Sequence, residues 1–208
     1  MAMEQEIKLA LAADHVAAAS ACLSEIAGDP GQLIALENIY FDTAECALAK
    51  IKSAVRVRKT AQGWLQTFKA GGGVSQGLHS RHEWEMPISG PHLEPDALLA
   101  ACADHPAALV LGLALPQLQP LFHTDFSRRV WNLEHAGAQI EVALDQGRVT
   151  VERDGQERST PICEVELELK HGDVSALHSL AELLRERVPN LTPDNVSKAQ
   201  RGYQLYGA

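Results

Sequence analysis

Positive charge is what this chain of 208 residues lacks first: 18 Lys and Arg stand against 27 Asp and Glu, a formal net charge of −9. No global positive field draws it to nucleic acid or to an acidic membrane, so any polyanion it binds must be met locally. Cysteine is sparse too. Cys22, Cys46, Cys102 and Cys163 stand far apart, without a C-x-x-C or a run of His ligands. That excludes a recognisable zinc site or disulfide framework and fits reduced thiols in a cytosol. No apolar stretch approaches a membrane span, and Met1 to Lys8 lacks the basic start and apolar run of a signal peptide. A soluble, cytoplasmic protein with no membrane partner is therefore expected. Gly71-Gly72-Gly73 lacks the G-x-x-x-x-G-K-[ST] pattern of a phosphate-cradling loop and reads as a mobile hairpin tip. The nine histidines, His79 and His82 among them, show no shared-face ligand spacing. With no internal repeat, low-complexity tract or linker, residues 1–208 are expected to form one domain.

What is present is alternation. Residues 3–12 read as a strand, followed by an Ala-rich helix over about 15–27 that Asp14 can cap, and a break at Asp29-Pro30-Gly31. Strand-like runs follow at about 35–43, 53–60, 63–70 and 79–88. Residues 95–115 are Ala/Leu-rich and read as two short helices divided at Pro106. Strands resume at about 118–134, 138–145, 147–152 and 162–170, with Asp145-Gln146-Gly147 as a turn and Asp154-Gly155 in a loop. Helices over about 174–188 and 195–205 complete the pattern. Eight or more antiparallel strands with few helices favour closure into a barrel, because closure removes exposed edges.

Residues two apart on a strand share a face. Glu4, Glu6 and Lys8 form one such row, and Arg56 and Arg58 a second. Arg81, Glu83 and Glu85 form a third, with Trp84 and Met86 behind it. Glu164, Glu166, Glu168 and Lys170 form a fourth, backed by Cys163, Val165, Leu167 and Leu169. A half-buried strand ordinarily shows its polar face to water, and any single row fits that ordinary explanation. Three glutamates in one row repel one another, however, and a solvated face gains nothing by concentrating them. A lumen holding a divalent cation and a polyanion accounts for both signs. Carboxylates are hard ligands for Mg²⁺ or Mn²⁺, and guanidinium forks match phosphate oxygens.

Glu4-Gln5-Glu6-Ile7-Lys8, Tyr40-Phe41-Asp42-Thr43, Ala54 to Arg58, Thr67-Phe68-Lys69, the Glu83/Glu85 pair, Arg128, Ile140 to Asp145, Glu164 to Glu168, and Ser197-Lys198 occur in one order along the chain. That series resembles the CYTH proteins, or triphosphate tunnel metalloenzymes, and within them the bacterial inorganic triphosphatases. The resemblance implies an α+β fold, mainly antiparallel: a closed eight-stranded β-tunnel with peripheral helices. It implies that Lys8, Arg56, Arg58, Lys69, Arg81, Arg128 and Lys198 bind substrate, and that Glu4, Glu6, Glu164, Glu166 and Glu168 bind metal. Lys8, Glu6, Glu166, Arg56 and Arg58 would be catalytic, with Glu83, Glu85, Glu141 and Asp145 as further lumen carboxylates. One departure is Phe126, where many relatives place a basic residue two before the arginine aligned with Arg128. Arg129 is expected to point away from the lumen, and Trp64, Trp84 and Trp131 to pack outside the wall.

The activity implied is Mg²⁺- or Mn²⁺-dependent hydrolysis of inorganic triphosphate to pyrophosphate and phosphate. The helical CHAD domain that follows the tunnel in those bacterial relatives is not expected within these 208 residues. Three alternatives stand beside this reading: a class IV-type adenylyl cyclase, a thiamine triphosphatase, and a non-catalytic polyphosphate- or nucleotide-binding module. The expected partner is inorganic triphosphate or another small triphosphate compound and not nucleic acid, and a homodimer stays open.

Overall fold

The computed structural model describes residues 2–207. In chain order the elements are β1 (Ala2–Ala10), α1 (Val16–Ala27), β2 (Gln32–Asp42), α2 (Ala47–Lys50), β3 (Ala54–Thr60), β4 (Gly63–Ser75), β5 (Leu78–Ile88), α3 (Pro95–Cys102), α4 (Ala107–Ala114), β6 (Gln119–His135), β7 (Ala138–Arg153), β8 (Gln156–His171), α5 (Ser175–Arg187), β9 (Thr192–Pro193) and α6 (Lys198–Tyr206). The sheet runs β5-β4-β3-β2-β6-β7-β8-β1, and β1 pairs back onto β5, so eight antiparallel strands close into a barrel. The two-residue β9 pairs antiparallel with the end of β1, beyond its pairing with β5.

The period-2 pattern turns this barrel inside out, with charge toward its axis and apolar side chains outward. Ile7, Leu9, Trp131, Ile140, Val142, Val165 and Leu167 form the outer face on one side, covered by α1 and α5. Val55, Phe68, Ala70 and Trp84 do the same opposite, under α2, α3 and α4. A third cluster lies inside. Asn38 and Tyr40 stand opposite the lumen-facing Arg58 and Arg56, so Leu36 shares their face. Leu36 meets Phe126, Phe126 meets Gly147, and Gly147 meets Ile162 across successive strands. These apolar side chains, with Tyr203 of α6, plug one end of the barrel. Packing is close there: a Cβ on Gly202 would lie 2.1 Å from the Phe122 ring.

Three sequence expectations fail locally. Asp14 does not cap α1; it sits in a 3₁₀ turn, and the N-cap is His15 without a side-chain bond. Gly71-Gly72-Gly73 is not a hairpin tip but lies within β4, where the register with β5 shifts between Ala70 and Gly73, and the turn is at Gln76-Gly77. Asp145-Gln146-Gly147 is not a turn either. β7 runs unbroken, because Gly147 is needed where its strand crosses β6 closely: a Cβ there would lie 2.1 Å from the Asp125 carbonyl. Pro106 does divide the helical excursion, as the N-cap of α4. Trp84 and Trp131 pack outside the wall as expected. No helix among the described residues is long and apolar enough to cross a membrane.

Candidate active site in the tunnel

The unplugged part of the barrel encloses a cavity of about 220 Å³. Its wall carries Lys8, Arg56, Arg58, Lys69, Arg81, Arg128, Lys170 and Lys198, facing Glu4, Glu6, Glu83, Glu85, Glu141, Glu166 and Glu168. Alternation on β1, β3, β5 and β8 brings each charged row inward, and the first turn of α6 adds Lys198. That turn is fixed by a capping box in which Ser197 accepts from the Gln200 backbone and Gln200 answers to Ser197.

The deepest pairs are the tightest. Lys198 Nζ lies 2.6, 2.5 and 2.8 Å from Asp145, Glu164 and Glu166. Arg128 forks onto Asp145 at 2.8 and 2.6 Å and reaches Glu166 at 2.5 Å. Lys8 pairs with Glu166 and lies 3.2 Å from Glu6. Burial alone would raise the Glu166 carboxyl, but Lys198, Lys8 and Arg128 together hold it well below the usual carboxylate range. Burial likewise opposes charge on Lys8, and Glu166 and Glu6 reverse the effect, so its pKa rises.

Elsewhere in the lumen the pairing is more uneven. Lys69 Nζ lies 2.6 Å from Glu4, Arg81 donates to Glu6 at 2.9 Å, and Arg56 is 3.8 and 3.6 Å from Glu83 and Glu85. Among the described residues Glu168 pairs only with Lys170, at 2.7 Å, and burial, reinforced by Glu4 and Glu141, pushes its pKa up. Arg58 is different again. Its guanidinium meets only the Asn38 side-chain oxygen, at 2.8 Å, and alone of the lumen cations it has no carboxylate within 4 Å among the described residues. Burial first, then Arg56 and Arg128, push its pKa down to about 10. Tyr40, beside these arginines, has its pKa raised by burial but lowered overall by Arg56 and Arg58.

A closed tunnel with paired acidic and basic rows, fed by an E-x-E-x-K strand, agrees with the CYTH domain pattern, which matches residues 2–203. The chain belongs to the CYTH domain family. It is 35% identical over 206 residues to an inorganic triphosphatase from Haemophilus influenzae, covering 99% of this chain and 55% of that protein. The chain thus spans about half the length of that curated relative. Among solved structures, a Hippeastrum adenylyl cyclase candidate with a dominant triphosphatase activity superposes with a TM-score of 0.68 at 21% identity, over 97% of this chain and 95% of the other. An adenylate cyclase candidate from Bacillus halodurans gives 0.61 at 20%, over 97% and 98%. At these identities the superpositions show the shared fold.

Within this CYTH domain the residues singled out from sequence fall into two groups. All seven substrate-binding candidates line the lumen, as do Glu4, Glu6, Glu83, Glu85, Glu141, Glu166 and Glu168. Asp145 and Glu164 do not line it; both are fully buried behind Lys198. Asp145, Glu164 and Glu166 form a compact carboxylate cluster, with one oxygen of each within 4.8 Å of the others. An ammonium already sits among them. Phe126 is inside the barrel but in the apolar plug, its ring 4.9 Å from Lys198 Nζ and 5.7 Å from the Arg128 guanidinium. Arg129 points outward and donates to the Pro30 carbonyl.

Sequence reasoning missed Arg201, Asp194 and Asn38 as contributors, and placed Lys170 and Thr67 in the pattern without giving them a role. Arg201 Nη1 lies 2.8 Å from Glu164 Oε2, an ion-pair contact off the line of a hydrogen bond, and its other arm holds Asp194. Thr67 accepts from Arg56 and donates to Glu85. Asn38 and Thr67 were accessible through period 2, since they share faces with Tyr40 and Lys69. Arg201 carried no such signal.

Proposed function

We propose that this chain hydrolyses inorganic triphosphate to pyrophosphate and orthophosphate inside the tunnel, with Mg²⁺ or Mn²⁺ bound. The observation that carries the reading is Arg58: a partly buried guanidinium without a carboxylate, whose positive charge is opposed by its neighbours until an anion arrives. Around it, Arg56, Lys69, Arg81 and Arg128 are within the same cavity, so a chain of phosphoryl groups would exchange carboxylate partners for phosphate oxygens. The likeness to the Haemophilus influenzae inorganic triphosphatase, across almost all of this chain, supports the same substrate.

We place the divalent cation at Glu4, Glu141 and Glu168, which would have to draw together to ligate it; their crowding leaves Glu168 hard to ionise without a further positive charge. The Asp145–Glu164–Glu166 cluster is already neutralised by Lys198, Arg128, Lys8 and Arg201 and serves as an ionic strut for the basic wall. Glu6 and Glu166 become free to join the metal set as phosphate takes over Arg81, Lys8 and Arg128. When bound, the metal supplies Lewis-acid polarisation of phosphoryl oxygens. Arg56, Arg58 and Lys69 orient the chain, while Lys8, Arg128 and Lys198 face the charge that grows as water's oxygen bonds to phosphorus and the bridging P–O bond breaks. Pyrophosphate leaves with the bond's electron pair, and water's protons pass to the products and solvent.

The lumen gives no stacking surface to a nucleobase. Tyr40 is its one aromatic residue among those described, and that ring is stacked on Phe122 with centroids 4.6 Å apart. Product analysis with Mg²⁺ or Mn²⁺ and triphosphate, ATP or pyrophosphate is the test. Triphosphate should turn over at least tenfold faster than ATP, with pyrophosphate accumulating intact. Efficient formation of cyclic AMP from ATP would overturn the assignment.

A further inference from the structure

Beside the lumen lies a second cavity of about 240 Å³, bounded by the Gly71–Gly73 bulge of β4, the segment before β3 and the first turn of α6. Lys69, Arg81 and Ser197 belong to the walls of both cavities, which therefore adjoin. Their charge patterns differ, although the shared Lys69 and Arg81 reach Glu4 and Glu6 on the lumen side. The lumen interleaves carboxylates with its cations, whereas the second wall carries Lys52, Lys69 and Arg81 and, among the described residues, no carboxylate at all. Its other titratable groups add no negative charge at neutral pH. Burial lowers the pKa of His79, whose Nε2 lies 3.0 Å from the Asp194 carbonyl oxygen, and burial followed by Asp42 raises that of Tyr203.

Two features of this wall call for an anion. Arg81 gives only Nη2 to Glu6, and its Nε is buried without a hydrogen-bond partner. A buried guanidinium N–H left unmade is costly, and an oxyanion in reach would satisfy it. The nine-residue α6 also directs its positive end here through Ser197, Ala199 and Gln200. With no carboxylate in the wall there is no ligand set for a hard cation, so the occupant is an anion that comes without metal.

We propose that this side cavity is a metal-independent orthophosphate site, holding the smaller product after it leaves the lumen. The choice of orthophosphate rests on the triphosphatase reading; the charge pattern does not. Isothermal titration of inorganic phosphate into the whole chain in EDTA, with chloride fixing the ionic strength, tests it directly. The wild type should bind saturably. Lys52→Ala should weaken binding severalfold, and Val74→Asp, which sets a carboxylate in the wall on the His79 face, by at least tenfold. Val74 is exposed, so this variant keeps the fold, as an unchanged unfolding temperature will verify. Arg58→Ala should leave phosphate affinity within twofold. Absence of saturable binding overturns the proposal, as does binding lost with Arg58→Ala and kept with Val74→Asp, which would put the phosphate in the lumen. The titration involves no turnover, so failure of triphosphate hydrolysis and failure of this site are read separately.

Discussion

Glu168 and Glu166 stand two residues apart on one strand face and titrate in opposite directions, because their neighbours differ. Glu166 is ringed by Lys8, Arg128 and Lys198, so its charged form stabilises the fold above the ordinary carboxylate pKa and that contribution is lost as pH falls below it. Glu168 is buried near Glu4 and Glu141 with one partly exposed lysine to offset them, so its folded pKa is raised and ionisation works against folding above the ordinary value of about 4.3. Replacing it by Gln should therefore raise the unfolding temperature of metal-free protein at pH 8, by about 2–4 °C for about 1 kcal/mol in a domain of this size. The gain should shrink toward pH 4, and the shift produced by added Mg²⁺ or Mn²⁺ should be smaller than in the parent. Thermal scans at the two pH values check both; a lower metal-free unfolding temperature at pH 8 would refute the crowding account. The rows themselves were legible in the sequence, because a strand's period of two sorts Glu164 to Lys170 without any coordinates. Which carboxylate is quenched was not: Arg201 and Lys198 reach Glu164 from a helix more than thirty residues away, and no local pattern records that approach.

At the scale of elements, the two misread glycine segments share one cause. A glycine in a strand marks either a chain reversal or a place where another backbone comes too close for a side chain, and composition alone does not separate the two. Gly147 serves the close crossing of β6 and β7, and Gly72 the bulge of β4. At Gly72 the backbone has φ of +91°, and a Cβ would lie 1.7 Å from the Ser80 carbonyl oxygen. Gly72→Ala should therefore cost at least about 2 kcal/mol, read as a lower denaturant midpoint, from positive-φ strain together with forced separation of β4 from β5. Gly73→Ala, one residue on and open to solvent, should leave the midpoint nearly unchanged. Equal effects at the two positions would mean that the bulge is not where the register shift puts it. The helical excursion was easier to read, since Pro106 both ends one helix and starts the next in any packing.

For the molecule as a whole, the ligand-free tunnel is a set of internal ion pairs that ligands must exchange. On the proposed function, metal by itself would meet crowded Glu4, Glu141 and Glu168, while triphosphate by itself would free Glu6 and Glu166 from their cations and leave them unpaired. Each ligand therefore prepares the site for the other. A hundredfold excess over a dissociation constant adds roughly 3 kcal/mol by mass action, and the unfolding temperature should rise more with both ligands than by the sum of the separate shifts. Ca²⁺ can serve where it binds without supporting turnover; strictly additive shifts would argue against a shared site. Closure of the barrel has a further consequence, for the order of assembly. β1 must find β5 on one side and residues 164–168 on the other, the latter about three-quarters of the chain away. Such a distant pairing makes the last step of folding slow, and until β8 is synthesised one edge of β1 has no partner. Glu4, Glu6 and Lys8 stand along that waiting strand, and charge on an open edge is what deters a second chain from adding to it. The side chains that line the finished tunnel thus also lie along the one edge that stays open until the barrel closes.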